Sequence, residues 1–267
     1  MPESSAISYD ITCKGGSAAP LPPRSEGPVL VMFSGGSDST LTASLLSELH
    51  PVVHLVTYEH KAMSFASKSQ LAVENLRKAH GADRFVYSLL DINSFMARIF
   101  FRPLPQDLRK YGTYALPMCC GSCKLSMHVR SILYCYEHGI RYAADGSNAE
   151  LSELFPEQMK PVLELYRQLY QRYGIEYTNP VFDVSRSDHQ LFDRGVTTKR
   201  DYKTEHVVYT NQHSCAAGVM LYGFTLGVGL PLLGTSAKKD VATRYIADKI
   251  EHFCVPFLDA ELLRLSA

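Results

Sequence analysis

A short apolar run, a serine- and glycine-rich turn and a leucine-rich segment follow one another near the start of the sequence. PVLVMF (Pro28 to Phe33) is typical of a buried parallel strand, and the leucines between positions 41 and 49 have helical spacing. Between them lies SGGSDST, from Ser34 to Thr40. Gly35 and Gly36 permit a tight turn, and the start of a helix offers unpaired N–H groups. The segment predicts an anion-binding cradle or, more simply, a capped strand-to-helix turn.

Strand and helix patterns alternate as far as residue 195. Further strands are predicted at 51–59, 84–90, 139–146 and 174–183, with helices at 66–80, 92–101, 122–138, 155–173 and 185–195. This alternation predicts a doubly wound, Rossmann-like α/β domain over residues 28–195, with a mainly parallel five-stranded sheet. We expect a site at the carboxyl ends of the strands. Residues 1–27 read as a disordered tail, 102–118 as a lid loop, and 196–267 as a small helical cap.

The charge balance and the apolar segments of the sequence indicate which partners and which cellular location to expect. Lys plus Arg and Asp plus Glu number 27 each, so no global basic field favours nucleic acid, and only Arg98, Arg102, Arg109 and Lys110 form a local basic cluster. The tail lacks the apolar core of a signal peptide. Residues 216–234 are long enough for a membrane span, but their glycines and Pro231 favour a buried helix and turn. We expect a cytoplasmic protein without a membrane partner.

Three of the seven cysteines cluster in MCCGSC at positions 118–123, and Lys124 follows directly. An odd cysteine count without a secretion signal argues against a disulfide scaffold. Cys120 and Cys123 have the spacing of a metal-chelating pair, and a nearby cation favours the reactive thiolate. Cys135 and Cys254 lie in helical patterns and are expected in the core.

The segment VMFSGGSDST resembles the SGGxDS signature of the PP-loop ATP pyrophosphatases. The resemblance implies that the loop holds the phosphates of ATP, that ATP is cleaved between the α- and β-phosphates, and that an acceptor is adenylylated. The implied ATP-binding residues are Ser34, Gly35, Gly36, Ser37, Asp38, Ser39 and Thr40, with Asp38 also catalytic. Thr57 and Tyr58 occupy the place where such proteins hold adenine.

A second segment, YAADGSNAEL, is similar to the GHNxDD stretch of sulfur-inserting members of that superfamily. Gly146 and Asn148 match it and are implied ATP-binding residues. Ser147 stands where the family has His, and Glu150 and Leu151 stand at the two Asp positions. Glu150 is the implied Mg²⁺ ligand, and Asp145 is an additional acid.

CxxC followed by Lys resembles the iron–sulfur-dependent tRNA thiolases of the superfamily. The resemblance implies a [4Fe–4S] cluster on Cys120, Cys123 and Cys215, with these cysteines and Lys124 in catalytic roles. The implied activity is an ATP-dependent sulfurtransferase that exchanges oxygen for sulfur. Its partners are ATP, a sulfur donor and a tRNA, nucleotide or small-molecule acceptor, and a homodimer is left open.

Other interpretations of the same residues stay open. The cysteines also suit a Zn²⁺ or structural site, or a persulfide on Cys123. A PP-loop ligase or amidase with a nitrogen nucleophile needs no cluster, and a non-catalytic nucleotide-binding protein needs no acceptor.

Overall fold

The structure is a computed structural model that describes residues 26–61, 63–64, 69–152, 155–185, 187–196, 214–215 and 236–266. Its centre is a five-stranded, all-parallel sheet. The strands of this sheet are β1 Val29–Met32, β2 Val53–Glu59, β4 Phe85–Asp91, β5 Tyr142–Asp145 and β6 Glu176–Thr178. They lie in the order β4-β2-β1-β5-β6. A separate antiparallel pair joins β3 Met63–Ser64 to β7 Ser214–Cys215. The predicted α/β fold with a parallel five-stranded sheet is confirmed.

Helices cover both faces of the sheet. They are α1 Ser37–Leu46, α2 Ser69–His80, α3 Asn93–Met96, α4 Leu104–Tyr111, α5 Met118–His138, α6 Ala149–Ser152, α7 Lys160–Arg172, α8 Ser187–Asp193, α9 Ser236–Lys249 and α10 Val255–Ser266. A π-helical turn at Ala97–Phe101 extends α3, and another at Ile250–Cys254 joins α9 to α10. None of the helices in the described ranges is both long and apolar enough to cross a membrane.

The central strand β1 divides the interior into two cores. Leu30 and Met32 face the core that α5, α7, α9 and α10 build, whereas Val29 and Val31 face the core beneath α1, α2 and α8. This alternation is the two-residue period of a strand, and both faces are apolar because both are covered. The continuous apolar run in the sequence follows from this double burial.

Two local predictions were wrong. The expected lid loop at 102–118 contains α4 and a 3₁₀ turn at Gly112–Ala115, because Pro105 suits the first turn of a helix and the residues after it are mostly good helix formers. Helix α5 begins at Met118 instead of about residue 122, so the whole CxxC segment is helical.

The last two helices pack against α5 and α7 and share the core of the sheet. A buried ion pair ties α9 to α4, with Lys249 Nζ 2.8 and 2.6 Å from the two carboxylate oxygens of Asp107. The Tyr245 hydroxyl donates to the same carboxylate at 3.2 Å and lies 3.1 Å from Ser122 Oγ on α5. The domain boundary at 195/196 stays a prediction.

Replacing Lys249 by Met should destabilise the protein by about 3 to 5 kcal/mol, because the Asp107 carboxylate would stay buried without its cation. Chemical denaturation of the two proteins measures the difference. Arg172→Met, which breaks the exposed pair with Asp259, is the control and should cost much less. Equal losses in the two variants would contradict the role of burial.

Candidate functional site

Hydroxyl groups in the turn between β1 and α1 form hydrogen bonds with the backbone of the same turn. Gly35 has φ 75°, a left-handed conformation that glycine adopts without strain. Ser39 Oγ and Thr40 Oγ1 donate to the Gly36 carbonyl at 3.1 and 2.8 Å, and Ser39 Oγ accepts from the Ser34 amide at 3.3 Å. The Ser39 and Thr40 side chains therefore brace the loop, and the start of α1 beside it is the kind of position that suits an anion.

This loop borders a cavity of about 210 Å³. The cavity lies at the carboxyl ends of β1, β2 and β5, where open parallel sheets bind ligands. Its wall is formed by Met32, Phe33, Ser34, Gly36, Ser37, Asp38, Ser39, Tyr58, Lys124, Met127, Gly146, Ser147, Leu151 and Gln158. The structure thus brings together residues from three of the sequence segments that were singled out.

Lys124 and Asp145 form an ion pair at the wall of this cavity. The side chain of Lys124 is 18% exposed, whereas that of Asp145 is 1% exposed. The Asp145 carboxylate also accepts from Ser147 N at 2.9 Å, Ser147 Oγ at 3.0 Å and Asn179 Nδ2 at 2.6 Å. Burial alone would raise the pKa of Asp145, but the Lys124 ammonium, the nearby His128 and the Ser147 backbone amide hold that pKa well below its usual range.

The segment after β5 lies directly against the first turn of α1. A Cβ on Gly146 would stand 2.5 Å from the Ser39 nitrogen and 2.7 Å from the Asp38 carbonyl carbon, so only glycine fits. Asp38 Oδ1 accepts from Ser187 Oγ at 2.5 Å and from Asn148 Nδ2 at 3.5 Å. Asp38 and Asn148 therefore connect the loop to its neighbours, and the predicted catalytic role of Asp38 stays a prediction.

The hydroxyl groups of Thr57 and Tyr58, the two residues predicted to hold adenine, form hydrogen bonds within the protein. Thr57 is fully buried and donates to the Phe33 carbonyl at 2.7 Å. The Tyr58 hydroxyl lies 2.5 Å from Ser131 Oγ, and burial raises its pKa above the usual value. The Tyr58 ring nevertheless lines the cavity. Contact with a base is left to this ring and to the backbone, and the adenine assignment stays a prediction.

The clustered cysteines lie in the first two turns of α5. Cys119 and Cys123 are buried and Cys120 is partly exposed. Cys120 is one helical turn before Lys124, so it lies on the side of α5 that borders the cavity. Residues three apart on a helix are neighbours, and two thiolates so placed suit one metal centre.

The third predicted cluster ligand is described only by its backbone. Cys215 pairs with Met63 in the β3–β7 ribbon, four residues beyond the carboxyl end of β2 at Glu59. Its side chain lies outside the described residues, and within those residues no group of three or more metal-binding side chains is assembled. The predicted Mg²⁺ ligand Glu150 is exposed in α6. The membrane-length segment 216–234 also lies outside the described residues.

The contributions of Gln158 and Asp145 to the candidate site were not predicted from the sequence. Gln158 Oε1 accepts from the Asn148 amide at 2.8 Å and Gln158 lines the cavity, but nothing in its sequence context signals this. Asp145 was noted only as an additional acid. Its position as the last residue of β5, beside Met32 of β1 in the sheet, is the signal that places it at the carboxyl edge.

No protein-family model matches the sequence, and no curated protein matches it either. Solved structures do match. A 4-thiouridine synthetase in complex with RNA and bound ATP superposes with a TM-score of 0.50 at 14% identity, over 88% of this chain and 53% of that chain. A predicted subunit of tRNA methyltransferase from Methanocaldococcus jannaschii gives a TM-score of 0.39 at 21% identity, over 61% and 73%. The chain thus spans about half the length of the synthetase.

The fold and the loop together define an α/β protein with a serine- and glycine-rich turn beside a cavity at the carboxyl edge of a parallel sheet. It shares this fold with the 4-thiouridine synthetase, and its SGGSDST segment resembles the signature of the PP-loop ATP pyrophosphatases.

Gly146→Ala should destabilise the protein by about 1 to 3 kcal/mol, because its methyl group has no space against the backbone of α1. We also expect faster amide hydrogen exchange in the peptide that covers residues 34–40. Gly139→Ala is the control: it adds strain at φ 64° in open space, at the far end of α5. Unchanged exchange at 34–40 in Gly146→Ala would show that this contact does not hold the loop.

Proposed function

We propose that the protein binds ATP in the cavity beside Ser34 to Thr40, cleaves it to release pyrophosphate, and adenylylates an acceptor whose oxygen is then exchanged for sulfur. The observation that carries this proposal is the braced loop at the start of α1, which faces a cavity bordered by Lys124. The fold shared with a synthetase that binds ATP supports it.

The loop suits the negative charge of a triphosphate. Backbone N–H groups at a helix start, together with the helix dipole, bind phosphate oxygens without a lysine in the loop. Among the described residues of the cavity wall, Lys124 is the one lysine or arginine. Charge that develops on the leaving pyrophosphate would be stabilised by these groups, which are in place before the reaction begins.

The cysteines support the sulfur-transfer part of the proposal. Cys120 and Cys123 provide two soft ligands on one helix, and Cys215 would provide a third. A [4Fe–4S] cluster bound there would supply an iron without a protein ligand, at which sulfide can be held. Lys124 follows Cys123 directly, so this chemistry and the phosphate-binding cation are adjacent in the chain.

The acceptor in this proposal is a tRNA, a nucleotide or a small molecule. The structurally similar synthetase is described in complex with RNA. The basic cluster suits a polyanion less than its sequence indicates, because Lys110 is paired with Asp248 and Arg98 lies over the Phe257 ring at 5.8 Å. Mg²⁺ would accompany ATP, with Glu150 as the candidate ligand.

Incubation with ATP labelled at the α-phosphate should yield labelled AMP and unlabelled pyrophosphate when sulfide and either unmodified tRNA or free nucleotides are supplied. Lys124→Met should slow this reaction by roughly 10²-fold, because a fixed cation is removed from the phosphates. Lys160→Met, which changes an exposed lysine on α7 outside the cavity wall, is the matched control. Labelled ADP would contradict α–β cleavage, binding without turnover would favour a regulator, and a nitrogen-containing product formed when ammonium replaces sulfide would favour a ligase or amidase.

Anaerobically purified and reconstituted protein should contain iron and acid-labile sulfide. Alanine at each of Cys120, Cys123 and Cys215 should abolish this content. Cys135→Ala and Cys254→Ala are the controls, because both thiols are fully buried and burial raises their pKa. Stoichiometric zinc without sulfide would overturn the cluster assignment.

A further inference from the structure

The carboxylate of Asp145 is fixed from several sides. The Ser147 amide and the Asn179 side chain donate to Oδ1, and the Ser147 hydroxyl donates to Oδ2. The remaining direction from Oδ2 leads to the Lys124 ammonium. Because every neighbour is a donor, the carboxylate cannot rotate without losing hydrogen bonds. Asp145 is therefore a rigid anchor whose one charged partner lies at the cavity wall.

Lys124 needs such an anchor more than most lysines do. A lysine side chain has a flexible four-carbon stem, and its ammonium is strongly hydrated. The next turn of α5 carries His128, a fully buried histidine whose pKa burial and the nearby Lys124 charge hold well below 6.5, so it is neutral at physiological pH. Without Asp145, the ammonium would gain by turning outward to water.

The protein contains a second buried Asp–Lys pair that serves as a comparison. Asp107 and Lys249 join α4 to α9, are both nearly enclosed, and do not line the cavity. That pair connects two helices, and both of its charges face the interior. In the Asp145–Lys124 pair only the carboxylate is enclosed, and the cation is left in contact with the cavity. This asymmetry is what a cation held for a ligand requires.

We propose that Asp145 is a positioning residue that fixes the Lys124 ammonium at the cavity wall, where it contacts the phosphates of the bound nucleotide. This inference rests on the proposed ATP-binding function. Asp145, and more weakly the partly buried Glu157, attract the ammonium from the protein side, and its side toward the cavity is left for phosphate oxygens. The negative charge of Asp145 is shared with the Ser147 and Asn179 donors, which limits its repulsion of the phosphates.

The role of Asp145 can be separated from a purely structural role by a double-mutant cycle. Asp145→Asn keeps the shape of the side chain but places an amide N–H₂ group among the Ser147, Asn179 and Lys124 donors. The Lys124 ammonium should therefore leave its position. Affinity is measured by calorimetry for the non-cleavable α,β-methylene analogue of ATP and for adenosine, with wild type, Asp145→Asn, Lys124→Met and the double variant. Asp145→Asn should lower the affinity for the analogue roughly tenfold and leave the affinity for adenosine unchanged. The double variant should bind the analogue no more weakly than Lys124→Met does.

Two further variants keep the test decisive. Asp107→Asn is the matched control, which should lower thermal stability but leave both affinities unchanged. Ser147→Ala removes one hydrogen-bond donor from the Asp145 carboxylate. It should lower the affinity for the analogue less than Asp145→Asn does, and only when Lys124 is present. It replaces Asp145→Asn in the test if that variant fails to fold.

The outcomes divide clearly. An Asp145→Asn variant that binds the analogue as well as wild type does, or better, would show that the carboxylate is only a counter-ion and overturn the proposal. Equal losses for the analogue and adenosine, or a further loss in the double variant, would overturn it in favour of a structural or independent role. A wild-type protein that binds adenosine but not the analogue would refute both this inference and the proposed function, whereas analogue binding without turnover would refute only the latter.

Discussion

The close approach of the Gly146 backbone to the first turn of α1 is the contact on which the candidate site depends. It leaves no space for a side chain between the end of β5 and the loop. Because β1 and β5 are hydrogen-bonded neighbours, this contact fixes the loop against the segment that also contains Asp145 and Asn148. The turn between β1 and α1 and the ion pair at its side are thereby parts of one rigid unit.

Ion pairs in this protein differ in what their burial achieves. The pair between Asp107 and Lys249 is enclosed and holds α4 and α9 together, so it contributes to the fold. The pair between Lys124 and Asp145 is enclosed on one side only. Desolvation opposes both pairs, and in each the carboxylate is accompanied by additional hydrogen-bond donors that offset that cost. Burial of the carboxylate alone therefore does not distinguish the two pairs, whereas the exposure of the lysine to the cavity does.

Much of the architecture could be predicted from the sequence because its signals are local. The apolar run of β1, the glycines of the loop and the alternation of strands and helices each arise from neighbouring residues. The helical nature of 104–111 was missed because the segment 102–118, with three prolines, resembles a loop, although Pro105 suits the first turn of a helix and Asp107 contacts α9 through Lys249. The Lys124–Asp145 pair joins residues far apart in the chain, and no local pattern specifies it. The ribbon of β3 and β7, two residues per strand, is too short for any periodicity to indicate it.

Helix α5 runs without interruption for 21 residues, from the clustered thiols and Lys124 at one end to the glycine that ends it at the other. Within its first two turns, the spacing between Cys120, Cys123 and Lys124 is set by the pitch of the helix, about 5.4 Å per turn. A loop would let these groups move independently, and a helix does not. A displacement of α5 along its axis therefore moves the backbone of Cys120, Cys123 and Lys124 together, which makes α5 a mechanical link between the clustered cysteines and the wall of the cavity.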